Sequence, residues 1–259
     1  MKALLSAIVI PLLFVMMASF VSQAQQNGWE ESFFMANKAY KEGRFEDAVK
    51  GYEGLIATGH GNGHIYYNLG NAYFRLEQIG KAVLNYERAR IRIPRDADLN
   101  FNLDYARDQV QDVVPEDKGF LSAAFFWAHS LTMDELFLGF AGLNILFWAV
   151  LIVRLFTKSD WTYYTITVVL ILWLIGGSAF GWKYYRLETD DRAVIVTKEA
   201  DILAGPDKGD TVLFKLHEGT IVSYERSEDG WSLVSLPDEK RGWVTSGAVE
   251  KIMNAALSG

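Results

Sequence analysis

The chain has no cysteine. That removes disulfides, thiolate nucleophiles, cysteine-rich zinc sites and a lipid-modified cysteine anchor. Histidine is scarce too, with four in 259 residues, so metal ligation and acid–base chemistry at neutral pH have few candidates. A basic excess is also missing. The formal net charge is −7, and no positive field is present to hold nucleic acid. No residue set offers a nucleophile with a base and an orienting partner, so an enzyme is not expected. The glycines at 59, 61 and 63 lack the Lys-Ser/Thr of a phosphate loop, and nothing else suggests a cofactor or a metal.

Charge itself is absent from one long stretch. Tyr163–Trp182 carries none, and Leu136–Phe156 is apolar apart from Asn144 and Arg154. Each run is about the 20 residues a helix needs to cross a bilayer. With only 157–162 between them, they predict two transmembrane helices, 133–156 and 163–183, joined as a hairpin. Thr132 and Glu135 match a capping box at the first helix, and Leu131 with Leu136 matches a hydrophobic staple. Gly177 and Gly181 stand in G-x-x-x-G spacing for helix packing. A hairpin puts the chain before Thr132 and the chain after Tyr184 on one side of the lipid bilayer. Hydrophobic residues make up 50% and mean hydropathy is +0.06, which leaves room for two small soluble domains.

Lys2, the apolar run Ala3–Val21 and Ser22-Gln23-Ala24 read as a secretory signal peptide, 1–24. Export of the chain from Gln25 onward puts Arg154 and Lys158 on the cytoplasmic side of the hairpin. The expected location is a bacterial inner (cytoplasmic) membrane, with both soluble domains periplasmic.

Between Ser32 and Pro94 the chain repeats itself at an offset of 34 residues. Ala36-Asn37-Lys38-Ala39-Tyr40 aligns with Gly70-Asn71-Ala72-Tyr73-Phe74, and Ala48 with Ala82. Leu69, Gly70, Tyr73, Ala82, Tyr86, Ala89 and Pro94 in the second unit, and Ala36, Ala39, Ala48 and Tyr52 in the first, resemble the packing positions of the tetratricopeptide repeat. Two units and a closing helix within Asp98–Gln111 make an expected all-α array over 29–112. The resemblance implies peptide binding on the concave face formed by each unit's first helix. Projected here, that face holds Phe33, Asn37, Tyr40 and Lys41, then Tyr67, Asn71, Phe74 and Arg75. Asn37 and Asn71 look like the family's backbone-binding asparagines. Phe101 and Tyr105 sit where a carboxylate clamp would need basic residues. His60 and His64, set among glycines, read as linker residues rather than as ligands.

Residues 113–132 form an expected linker. Within it, Phe120–Ser130 is too short to span and reads as an interfacial helix with Phe125, Phe126 and Trp127 at headgroup level.

After Tyr184 the pattern turns to short alternating runs. Ala193–Thr197, Asp201–Leu203, Val212–Leu216, Thr220–Arg226, Trp231–Leu236 and Gly242–Thr245 read as strands of a small barrel that closes its own edges. Ala204-Gly205-Pro206-Asp207, Leu213–Thr220, Asp229-Gly230-Trp231 and Arg241-Gly242-Trp243-Val244 resemble the bacterial SH3 domain, over 190–253. That resemblance implies ligand contacts through Tyr224, Trp231 and Trp243, with core packing the competing role for Trp243.

The expected fold is thus a multidomain membrane protein: a tetratricopeptide array, a two-helix transmembrane hairpin and a small all-β SH3-like barrel. That order, with the stretch Leu121–Glu135 and the segment Leu213–Thr220, resembles the BatE family of the bacterial aerotolerance operon. The resemblance implies a complex with von Willebrand A-domain membrane proteins and, across the membrane, a MoxR-type ATPase. It also implies a part in envelope integrity or stress resistance. Two functions are expected. One is a non-enzymatic scaffold that displays two adaptor domains. The other is a membrane-anchored module that binds cell-wall (peptidoglycan) peptide through the barrel.

Overall fold

The computed structural model describes residues 28–112, 114, 120–157 and 159–253. The expected signal peptide lies outside them. Five helices come first: α1 (28–41), α2 (Phe45–Ala57), α3 (Gly63–Arg75), α4 (Ile79–Arg92) and α5 (Ala97–Arg107). They repeat every 34 residues in turns and caps as well as in packing. The α1–α2 turn needs a left-handed residue and has Gly43 at φ 78°; the α3–α4 turn has Glu77 at φ 57° in the equivalent place. Asn62 caps α3 by accepting the Ile65 N–H at 3.0 Å, and its equivalent Asp96 caps α5 by accepting the Leu99 N–H at 2.9 Å. Helix α5 is therefore the first helix of a third unit, and it closes the helical core with Leu99, Leu103 and Ala106.

The C-terminal part is one seven-stranded antiparallel sheet: β1 (Arg192–Ile195), β2 (Glu199–Leu203), β3 (Val212–His217), β4 (Ile221–Glu228), β5 (Trp231–Ser235), β6 (Arg241–Thr245) and β7 (Val249–Lys251), in the order β3-β2-β6-β5-β4-β1-β7. Strand β7 was not expected; Val249–Lys251 is too short to show an alternating pattern. The expectation of closed edges also fails, because β3 and β7 end the sheet and do not pair. Instead each edge is protected in its own way. On β3, Lys215 pairs with Glu199 and lies 3.5 Å from Asp201. At the end of β7, Arg88 of α4 donates to the carbonyl oxygens of Lys251 (2.7 Å) and Ile252 (3.1 Å).

That second contact belongs to a large interface. The sheet is docked on α4, and Val194 and Ile252 are buried within the helical core. Glu87 of α4 is fully buried and meets three guanidinium groups: Arg90 at 2.8 Å, Arg192 of β1 at 3.4 Å, and Arg107 of α5. Burial alone would push its carboxyl up, but these three hold it below the usual carboxylate range. Asp112, just past α5, accepts from the His217 N–H (2.6 Å) and the Thr220 hydroxyl (2.6 Å), and its second oxygen lies 3.0 Å from His217 Nδ1. Gly80 donates its N–H to Glu218 at 3.0 Å. The helices and the sheet are thus packed against each other through α4, α5 and Asp112.

Between them lie α6 (Phe120–Ala124), a 3-10 turn (Phe126–Ser130), α7 (Met133–Phe156) and α8 (Asp160–Glu188). The single interfacial helix expected over Phe120–Ser130 is broken at Phe125. The break lets Ala128 bury itself and lets Lys183 of α8 donate to the carbonyls of Ala128 (3.0 Å) and Leu131. At Thr132 both halves of the capping box are present. Helix α8 extends beyond 163–183 at both ends. Arg154 folds over the tight turn to donate to the Ser159 carbonyl and the Thr162 hydroxyl, each at 2.9 Å. Phe140 packs over Gly177, where a Cβ would come within 3.0 Å of its ring, and also meets Trp173 and Phe180. Gly181 has nothing within 4 Å of its Cβ position, so the G-x-x-x-G pair does not form one contact. Both helices are long and apolar enough to cross a membrane, and their most apolar stretches are only 6% and 11% buried.

Candidate functional site

The helical units bend around a concave face whose centre is a hydrogen-bonded ladder. Tyr52 donates its hydroxyl to Asn37 Oδ1 at 2.7 Å, and Asn68 Nδ2 donates to the same oxygen at 3.0 Å. One unit later, Tyr86 donates to Asn71 Oδ1 at 2.8 Å and Asn102 Nδ2 donates to it at 2.9 Å. Burial pushes the Tyr52 and Tyr86 phenols up, so both remain protonated donors. Each asparagine oxygen thus accepts two hydrogen bonds, which fixes the orientation of its amide.

A concavity of about 180 Å³ opens beside the second rung, lined by Tyr40, Asn71, Phe74, Arg75, Tyr86, Asn102 and Tyr105. Phe74 and Tyr105 meet at 5.7 Å between ring centres, and Phe101 stacks on Tyr105 at 6.5 Å. The Arg75 guanidinium lies 4.8 Å over the Phe45 ring. A permanent positive charge among four aromatic side chains and two asparagines suits an extended peptide that carries an acidic or carbonyl-rich segment beside a bulky apolar side chain.

Of the residues expected on this face, Tyr40, Asn71, Phe74 and Arg75 come together in the concavity. Asn37 holds the first rung instead, and Phe33 packs on Tyr52 at 6.3 Å. Tyr67 packs on Tyr86 at 6.1 Å and accepts from Asn102 Nδ2 at 3.0 Å. Lys41 is exposed and does not line the concavity. Asn102 was not expected here, although it stands 34 residues after Asn68. Tyr105, expected only to replace a basic residue, forms one wall.

The aromatic set expected on the sheet does not assemble into one surface. Residues paired across an antiparallel ladder share a face, and successive residues alternate. Leu233 pairs with Trp243, whereas Val234 pairs with Tyr224 and Gly242, so Tyr224 and Trp243 lie on opposite faces. Tyr224 packs against the interior of the sheet. Trp243 is only 7% exposed, with Arg226 at 5.3 Å over its ring, and is a packing residue. Trp231 shares the outer face and is half-buried.

Among the described residues, no three histidine or acidic side chains gather to hold a metal ion. No protein-family model matches the chain, and no curated protein gives a significant match.

Proposed function

We propose that the chain is a non-enzymatic, membrane-anchored adaptor whose helical face captures a peptide segment of a partner in the same membrane complex. The observation that carries this reading is the concavity between Asn71, Phe74, Arg75 and Tyr105. Its lining holds no set of groups suited to covalent or acid–base chemistry.

The hairpin supplies the anchor. Exposed Trp161, Tyr163 and Tyr164 flank one end of α8 and exposed Tyr184 and Tyr185 the other. At 1.5 Å per residue, Tyr163 and Tyr184 are about 31 Å apart along the helix, close to the thickness of a hydrocarbon core. Aromatic side chains at that spacing suit the two interfaces of a bilayer. The 34-residue period and its repeated caps favour a tetratricopeptide array, and the strand order of motifs favours an SH3-like sheet. On this reading the chain is a BatE-like protein of a bacterial inner membrane, exported by its N-terminal segment, with helices and sheet in the periplasm. Its partners would be the A-domain membrane proteins that the resemblance implies. Restriction to one membrane raises effective concentration, so a groove of modest affinity suffices.

Recovery of partners from detergent extract tests the reading. Full-length chain with Arg75→Glu and Tyr105→Ala should lose the partners that the unaltered chain retains. Equal recovery would rule out the concave face as the capture site.

A further inference from the structure

The 34-residue register shows where the helical array is incomplete. Leu69 of α3 and Leu103 of α5 are equivalent positions, 3% and 1% exposed, because the preceding unit covers each. Met35 of α1 is the same position in the first unit and is 53% exposed; Phe34 beside it is 65% exposed. Two other positions on this face change character. Ile65 and Leu99 are buried in the later units, and Glu31 stands in the first. Ala72 and Ala106 are buried likewise, and Lys38 stands in the first. Positions 31, 34, 35 and 38 match the i, i+3, i+4, i+7 pattern of a single helix face. This face is an apolar centre with one acidic and one basic end, and among the described residues nothing is packed on it.

We infer that this face of α1 is an interface between two copies of the chain. The charge pattern decides the occupant. Glu31 and Lys38 lie at equal distances on either side of the Phe34–Met35 centre. An antiparallel pairing of α1 with its symmetry mate therefore brings Glu31 of each copy to Lys38 of the other and stacks the apolar centres between them. A twofold contact must be self-complementary in this way. Lys38 is held only loosely now, 4.0 Å from Glu42, which already makes a 2.6 Å pair with Arg44. The face is small, so the contact is weak in free solution, and confinement to one membrane strengthens it.

The absence of native cysteine makes the test direct. Full-length chain with the single change Met35→Cys, in membranes or mild detergent, should oxidise to a covalent dimer, while Lys50→Cys on exposed α2 should not. Adding Glu31→Lys to Met35→Cys opposes like charges and should slow cross-linking at least about tenfold. Adding Glu31→Lys together with Lys38→Glu exchanges the charges and should restore it. The rescue separates an interface from a loss of folding. The inference is overturned if Met35→Cys stays monomeric, if Lys50→Cys cross-links equally fast, or if the single charge reversal has no effect. It is also overturned if the Met35→Cys thiol of a monomer resists maleimide, since another segment of the same chain would then cover the face.

Discussion

Gly80 lies against Ile195 so closely that a Cβ on Gly80 would stand 2.5 Å from the Ile195 carbonyl oxygen. The two residues belong to different parts of the molecule, one to the helical array and one to the sheet. Their approach is what lets the Gly80 N–H reach Glu218 and what seats the sheet on α4. Gly80→Ala gains about 1 kcal/mol of helix propensity. It must also push away a backbone atom, which costs about 1–3 kcal/mol. We predict a net lower midpoint for thermal unfolding and faster proteolysis near residues 107–112, both measured on full-length protein in detergent.

Glu87 is the electrostatic centre of the same interface. Removing its charge leaves Arg90, Arg107 and Arg192 facing one another without their shared counter-ion. Glu87→Gln should cost about 3 kcal/mol, read from the denaturation midpoint, because a partner has been removed from a buried charge cluster. An exposed acidic residue such as Glu46, changed in the same way, should cost less than about 0.5 kcal/mol.

The interface should also be acid-sensitive. Glu87 and Asp112 both have folded-state values below their ordinary ones. For Asp112 the upward push of burial is outweighed by the Thr220 hydroxyl and the His217 N–H. Unfolding therefore takes up protons at these groups, and their stabilisation is complete at neutral pH. It is lost as pH falls below the unfolded carboxylate range near 4 and through the lower folded values. Asp112→Asn should lower stability at pH 7 and flatten its decline between about pH 5 and pH 3.

Glu77 occupies a left-handed conformation in a turn where the preceding unit has Gly43. A Cβ costs about 1 kcal/mol there. Glu77→Gly should raise stability by up to about that amount, less the entropy glycine adds to the unfolded chain. A thermal midpoint that falls instead would mean that the Glu77 side chain holds something in place.

Much of this architecture is legible in the residues alone because its causes are local. The hairpin comes from two long apolar runs and one capping box, and the helical units from an offset that recurs in tyrosines, asparagines and small residues. Half of the concave face comes from the same offset; Tyr40, Asn71, Phe74 and Arg75 meet where the repeat projects them. The interface between helices and sheet has no such local mark. Glu87, Arg88 and Arg107 look like ordinary charges on exposed helix faces, since their partners lie up to 164 residues away. The sheet aromatics mislead for a related reason: a shift of one residue in register moves a side chain to the other face, which separates Tyr224 from Trp243.

Site-directed labelling tests most directly whether helices and sheet share one side of a membrane. Single cysteines at Lys41 in the array, Asp238 in the sheet and Thr157 in the hairpin turn, each otherwise in a cysteine-free chain, are treated with a membrane-impermeant maleimide on intact cells whose outer envelope has been made leaky. We predict that Lys41→Cys and Asp238→Cys label together, and that Thr157→Cys labels only after the inner membrane is opened. Labelling of Lys41→Cys and Asp238→Cys from opposite sides, or of all three sites without opening that membrane, would contradict the shared-side topology.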